Sequence, residues 1–234
     1  MNNKKLQLNK IYNINFQDAF NKFDISDIKM FITDPPYNIK YNYDEYNDDL
    51  SDDDYINLIA NFQQLPIAII HYPEETMKYI VPALGIPDEV VIWCYNSNIG
   101  RQSRLINFYD CEVNFGAVKQ PYKNPTDKRI QERIKNGSMG GRSYDWFSDI
   151  QIVKNVSLEK MGHPCPVPIK LMERIILLTT KENDIVCDPF MGSGTTALAC
   201  LKTNRKYIGF EISQEYCNIA NKKIDQYLNK TQIL

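Results

Sequence analysis

Asp184-Ile185-Val186-Cys187-Asp188-Pro189-Phe190-Met191-Gly192-Ser193-Gly194-Thr195-Thr196 decides the fold of this 234-residue chain. Asp184 to Asp188 has the short apolar character of a buried strand. A glycine-rich turn follows, then a helix to about Lys202, a second strand over Tyr207 to Glu211, and a last helix over Gln214 to Leu228. Glycines between a strand and a helix permit a tight turn and let a ligand approach the backbone closely. Glu211 ends the second strand, where an acid commonly grips ribose hydroxyls. The full G-x-G-x-x-G pattern is absent, since Ala197 stands where its third glycine would be, and the Gly-Lys-Ser/Thr phosphate loop is absent too. A nucleoside without a long phosphate chain therefore suits this turn better than NAD or ATP.

A second corner lies far upstream. Ile28 to Thr33 reads as a buried strand and runs into Asp34-Pro35-Pro36-Tyr37. The residue before a proline is pushed out of helical geometry, so Asp34 should be extended at the strand's end. The two prolines hold the following backbone stiffly. A fixed carboxylate, fixed carbonyls and a ring at the mouth of a sheet can grip a planar amine. A plain proline-rich turn has the same local sequence, so the corner alone leaves both readings open.

Between these corners, Ile11 to Phe16 reads as a short strand with Asp18 just past it. Tyr41 to Asp54 is a polar, acidic loop expected to be mobile. Tyr55 to Ile80 has helical periodicity interrupted at Pro66 and Pro73, which predicts two short helices. Glu89 to Tyr95 and Cys111 to Val118 are strand candidates, and Leu171 to Thr180 is an apolar helix. Thr126 or Asp127 can cap a helix to Asn136, ended by Gly137. Alternating strands and helices predict one α/β domain over residues 1–234, with a mostly parallel sheet and an insert over about residues 119–160.

Composition narrows the function. No apolar run approaches the roughly 18 residues of a membrane span, and the N-terminus lacks a signal-peptide core, so a cytoplasmic location and no membrane partner are expected. The six cysteines are scattered without a C-x-x-C pair, and His163 with Cys165 does not make a metal site. The formal net charge of −2 hides two opposite surfaces. Tyr41 to Gly100 holds eleven acids against one base, Lys78, whereas Lys119 to Lys160 holds nine bases against five acids. The basic stretch suggests phosphate contacts by Lys123, Lys128, Arg129, Arg133, Lys135 and Arg142, against the plainer reading of a solvated helix face.

Taken in order, the amine corner, the basic segment, His163-Pro164 and Asp188-Pro189-Phe190-Met191-Gly192-Ser193-Gly194-Thr195 resemble the DNA amino-methyltransferases, and more narrowly their β group. The resemblance covers nearly the whole chain. It implies a Rossmann-like fold dependent on S-adenosyl-methionine, double-stranded DNA as substrate, and base flipping followed by direct transfer. It assigns amine capture to Asp34 and the Pro35 carbonyl, with Pro36 and Tyr37 completing the corner and Tyr37 stacking on the base. It assigns the cofactor to Asp18, Asp34, His163, Pro164, Asp188, Phe190, Gly192, Ser193, Gly194, Thr195 and Glu211. It allows a homodimer and a cognate restriction endonuclease encoded elsewhere. One departure is Val167, where the family often has lysine. The Asp-Pro-Pro-Tyr form favours adenine N6 as target; cytosine N4 and a non-catalytic DNA-binding subunit are the alternatives.

Overall fold

The computed structural model describes residues 4–41, 46, 48–96, 100–153 and 167–231. His163 and Pro164 lie outside the described residues, as does Cys165. Eight strands form the main sheet: β1 (Lys10–Asn13), β2 (Met30–Thr33), β3 (Ile67–His71), β4 (Glu89–Cys94), β5 (Ser103–Tyr109), β6 (Trp146–Phe147), β7 (Ile185–Asp188) and β8 (Lys206–Glu211). Their spatial order is β6-β4-β5-β3-β2-β7-β8-β1. Only the two pairings of β5, with β3 and with β4, are antiparallel. The sheet is therefore the mostly parallel one that the alternation predicts, and it fits the Rossmann-like fold that the resemblance implies.

Helices cover both faces, which is why the central strands are apolar on both sides. On one face lie α1 (Phe16–Lys22), α2 (Asp52–Ala60) and an irregular helix α3 composed of Pro73–Glu75, a π segment Thr76–Ile80, and Val81–Leu84. They pack on Phe31, Ile67, Ile69, Cys187 and Phe210. On the other lie α5 (Ile169–Thr179), α6 (Thr195–Lys202) and α7 (Gln214–Thr231), over Met30, Ile32, Ala68, Ile70 and Val186. The alternation Met30, Phe31, Ile32 between the two cores is the period-two signature of a strand. The basic helix α4 (Lys128–Lys135) is capped by Asp127, whose carboxylate accepts from the Arg129 N–H, and buries none of its residues.

Three expectations need correction. The stretch Tyr55 to Ile80 is not two helices, because it contains the central strand β3, buried along its whole length. A short, fully apolar run looks alike as strand or helix by periodicity. Cys111 to Val118 is not a strand; the strand is β5, which ends at Tyr109. Arg104 and Asn107 interrupt its apolar pattern. Within the expected insert, Lys119–Gln120 pairs with Gly141–Arg142 in a small ribbon, but Trp146–Phe147 joins the edge of the main sheet beside β4.

The first half of the chain winds from β2 toward β3, and the last quarter winds from β7 toward β8. Strands β2 and β7 lie side by side and parallel. Ligands of open α/β sheets bind beyond the carboxyl ends of strands at such a switch point.

Candidate active site

The amine corner and the glycine turn are the segments that leave β2 and β7, and they meet in one cleft of about 360 Å³. Asp34, Pro35, Pro36 and Tyr37 of the corner line it, as do Phe190, Gly192, Glu211 and Ser213 from the turn and the end of β8. Asn15, Phe16 and Tyr72 line it too.

The turn is built from backbone requirements. Gly192 and Gly194 have φ of 51° and 85°, the left-handed region that favours glycine. A Cβ on Gly194 would stand 2.8 Å from the Ala220 Cβ, so this glycine serves the packing of α6 on α7. Gly192 instead faces the cleft, and its N–H donates to Glu211 Oε2 at 2.7 Å. Ser213 N–H donates to Oε1 at 2.9 Å, so the Glu211 carboxylate is fixed at the wall.

Asp188 does not line the cleft. It is buried behind the turn, where it accepts from the Thr33 and Thr196 hydroxyls and from the Phe190 N–H. It thereby ties β2, the turn and α6 together. Burial pushes its carboxyl up from 3.8 to about 6, against the pull of those hydrogen bonds. A raised acid favours folding when protonated, a contribution present below pH 3.8 and lost as pH rises through about 6. Between pH 5 and pH 8 wild type should lose about 1.5 kcal/mol that Asp188→Asn does not. Urea unfolding of both proteins at the two pH values checks this; parallel pH dependences would contradict it.

Asp18 is exposed in the first turn of α1, because Phe16 and Ala19 take the inward positions of that helix; Asn15 and Phe16 face the cleft in its place. Ser193, Gly194 and Thr195 support the turn without lining the cleft. Lys123, Lys128, Arg129, Arg133, Lys135 and Arg142 are all exposed. Lys123 lies over the rings of Tyr144 and Trp146.

The corner has its own supports. The Tyr37 hydroxyl donates to Asp34 Oδ1, and its ring stacks on His71 with centroids 4.2 Å apart. His71 Nδ1 accepts from the Tyr72 N–H, which leaves the proton on Nε2, 3.1 Å from the Tyr55 hydroxyl. Tyr55 in turn donates to the Pro36 carbonyl. Burial, with Arg104 and Arg101 nearby, pushes His71 down to about 3, so it is a neutral strut. Asp48 is buried and accepts from the N–H groups of Asn38, Ile39 and Tyr41, fixing the chain just after the corner. The described part of the acidic loop is thus anchored, and Ser51 caps α2.

Burial holds the Asp34 carboxyl above its ordinary value, while Arg104 and the Tyr37 hydroxyl act the other way. Arg104, Tyr72, Asp48, His71 and Tyr55 were not singled out from sequence. A lone arginine at the head of an apolar strand was the available signal for Arg104.

Residues 28–222 match the N6/N4 family described as DNA methylase. The chain belongs to that family of DNA amino-methyltransferases. The family's members are enzymes that methylate adenine N6 or cytosine N4. The type II methyltransferase M.HpaI of Haemophilus parainfluenzae is 27% identical over 90% of this chain and 72% of its own length. Among solved structures, an M1.HpyAVI–SAM complex superposes with TM-score 0.62 at 23% identity, covering 92% of this chain and 98% of that one. The cytosine-N4-specific PvuII DNA methyltransferase superposes with TM-score 0.65 at 16% identity, covering 90% and 84%. No metal-ligand cluster occurs among the described residues of this DNA methylase, and no described helix is long and apolar enough to cross a membrane.

Proposed function

We propose that this methylase transfers a methyl group from S-adenosyl-methionine to the N6 amine of adenine in double-stranded DNA. The observation that carries the reading is the shared cleft, which the Asp34 corner lines together with Gly192 and Glu211. The wall fits the cofactor. Glu211 offers a fixed carboxylate to ribose hydroxyls, Gly192 offers close backbone approach, and Phe190 and Phe16 offer aromatic surface to adenine. Arg104 is the single cation among the described residues lining the cleft, so a polyphosphate would lack partners.

The bound cofactor supplies an electrophilic sulfonium methyl. The protein's task is to present the amine to it. An exocyclic amine is a poor nucleophile, because its lone pair is conjugated with the ring. Asp34 and the Pro35 carbonyl each accept one N–H, which draws the nitrogen toward a pyramidal form with its lone pair free to attack. Methylation would leave the amine nitrogen with an excess proton, which it would lose along its hydrogen bond to the Asp34 carboxylate and from there to water. Positioning and electrostatics carry the catalysis, and no covalent bond to the protein is needed. The target base leaves the duplex at a cost of a few kcal/mol, which the aromatic corner around Tyr37 offsets in part. The exposed bases of the segment around α4 supply phosphate contacts.

The Asp at the head of the corner favours adenine. Mass spectrometry of nucleosides from DNA treated with enzyme and cofactor should show N6-methyladenine. N4-methylcytosine alone would assign the other member of the family's pair, and no methylated base from mixed-sequence DNA would favour a non-catalytic subunit.

A further inference from the structure

We propose that Arg104 is a positioning residue for methyl transfer, holding the Asp34 carboxylate charged and turned to receive the target amine. The inference rests on the reading of Asp34 given above and adds a residue from a different part of the sheet.

Arg104 enters the cleft from β5, the strand antiparallel to its neighbours. Its Nη1 stands 3.6 Å from Asp34 Oδ2, and only 12% of its side chain is exposed. The guanidinium carbon lies 5.2 Å from the ring centres of Tyr37 and Tyr72, 5.4 Å from Trp93 and 6.0 Å from Tyr95. Its Nε is buried with no hydrogen-bond partner among the described residues.

This geometry differs from that of a structural staple. A two-pronged staple elsewhere in the protein shows the contrast: Arg174 meets both oxygens of Asp149 at 2.7 and 2.6 Å. Such forks satisfy the donors and saturate the carboxylate. Arg104 is held by ring faces and by a side-chain hydrogen bond with Tyr95, close enough to attract Asp34 and too far to chelate it. Cation–π contacts stabilise a desolvated guanidinium without drawing on the carboxylate's lone pairs. Burying a cation so incompletely paired is costly for stability alone. The arrangement leaves Oδ2 open to an incoming N–H while a positive charge keeps the group ionised.

The groups around Asp34 come from every neighbouring element. They are Arg104 from β5, Tyr37 from the corner, His71 and Tyr72 from the end of β3, Tyr95 after β4, Tyr55 from α2 and Asp188 from β7. Burial raises Tyr37, Tyr55 and Tyr95 and keeps His71 neutral, so none of these changes charge in the working range. Asp188, at about 6, is the other group that does, and it acts on the turn rather than on the amine.

The test is the pH dependence of kcat at saturating cofactor and DNA for wild type, Arg104→Met and Arg104→Lys, each also carrying Asp188→Asn. Loss of the cation should move the acid limb of Arg104→Met to higher pH and lower kcat there by about tenfold or more, the usual effect of an opposite charge at this range. Arg104→Lys should restore the limb toward its wild-type position, and S-adenosyl-methionine affinity should change little in either variant. If Arg104→Met is insoluble, Arg104→Gln is read the same way. An active wild type whose limb stays in place in the neutral variants, or whose variants lose rate equally at all pH values, would overturn the proposal for Arg104. A wild type that transfers no methyl group to DNA would instead overturn the reading of Asp34.

Discussion

Asp34→Ala is expected to abolish methyl transfer while S-adenosyl-methionine binds with near-normal affinity. The two halves of the cleft come from different segments, and the cofactor wall of Gly192 and Glu211 is held by bonds that do not involve Asp34. Removing the carboxylate deletes the acceptor proposed to activate the amine. One such preorganised group is worth roughly 10²–10³ in rate, and the substitution also leaves the buried Arg104 cation without its counter-ion. Asp34→Asn keeps an acceptor oxygen and the volume but not the charge, so it should fall between the two. Single-turnover transfer to DNA and equilibrium dialysis with the cofactor give the two readouts. Transfer by the alanine variant within about tenfold of wild type, or a collapse of cofactor binding, would contradict the assignment.

The second large effect is expected at Glu211. Its carboxylate fixes the Gly192 and Ser213 N–H groups and faces the cleft. Glu211→Ala removes the proposed ribose acceptor and frees the turn that carries Gly192. Hydrogen bonds to a charged group are worth about 1.5–3 kcal/mol each, so cofactor affinity should weaken by roughly 100-fold. At saturating cofactor kcat should recover most of its wild-type value, because the Asp34 corner is untouched. An unchanged Kd for S-adenosyl-methionine would remove Glu211 from the cofactor site.

The C-terminal unit was legible because each of its signals is local. Strand, glycine turn, helix and acid follow one another within 28 residues, Asp184 to Glu211, and backbone conformation dictates the glycines. The amine corner was legible for the same reason, through prolines that act on their immediate neighbours. What the sequence hid is tertiary. Ile67–His71 is apolar on both faces, so its periodicity does not separate strand from helix until its neighbours are known. Arg104 and Asn107 made β5 look too polar for an interior strand. Their reason for being there, an acid on β2's end and a π segment beside β3, lies on other elements. Asp188 carried the opposite ambiguity. An acid beside the glycine turn looks like a cofactor ligand, and only its hydroxyl partners on β2 and α6 reveal a strut.

The bond from Thr33 to Asp188 joins positions 155 residues apart, and it spans the seam at which the two windings of the sheet meet. Loop-closure entropy must be met before such a contact gives anything back. During synthesis, therefore, the amine corner exists for most of the chain's length without the cofactor wall. The complete cleft requires β7 docked against β2. Whatever binds across that seam stabilises the closed chain in proportion to the logarithm of its concentration over Kd. With the methyl donor bound there as proposed, its cellular level would act on how much of this protein is folded as well as on how fast it works.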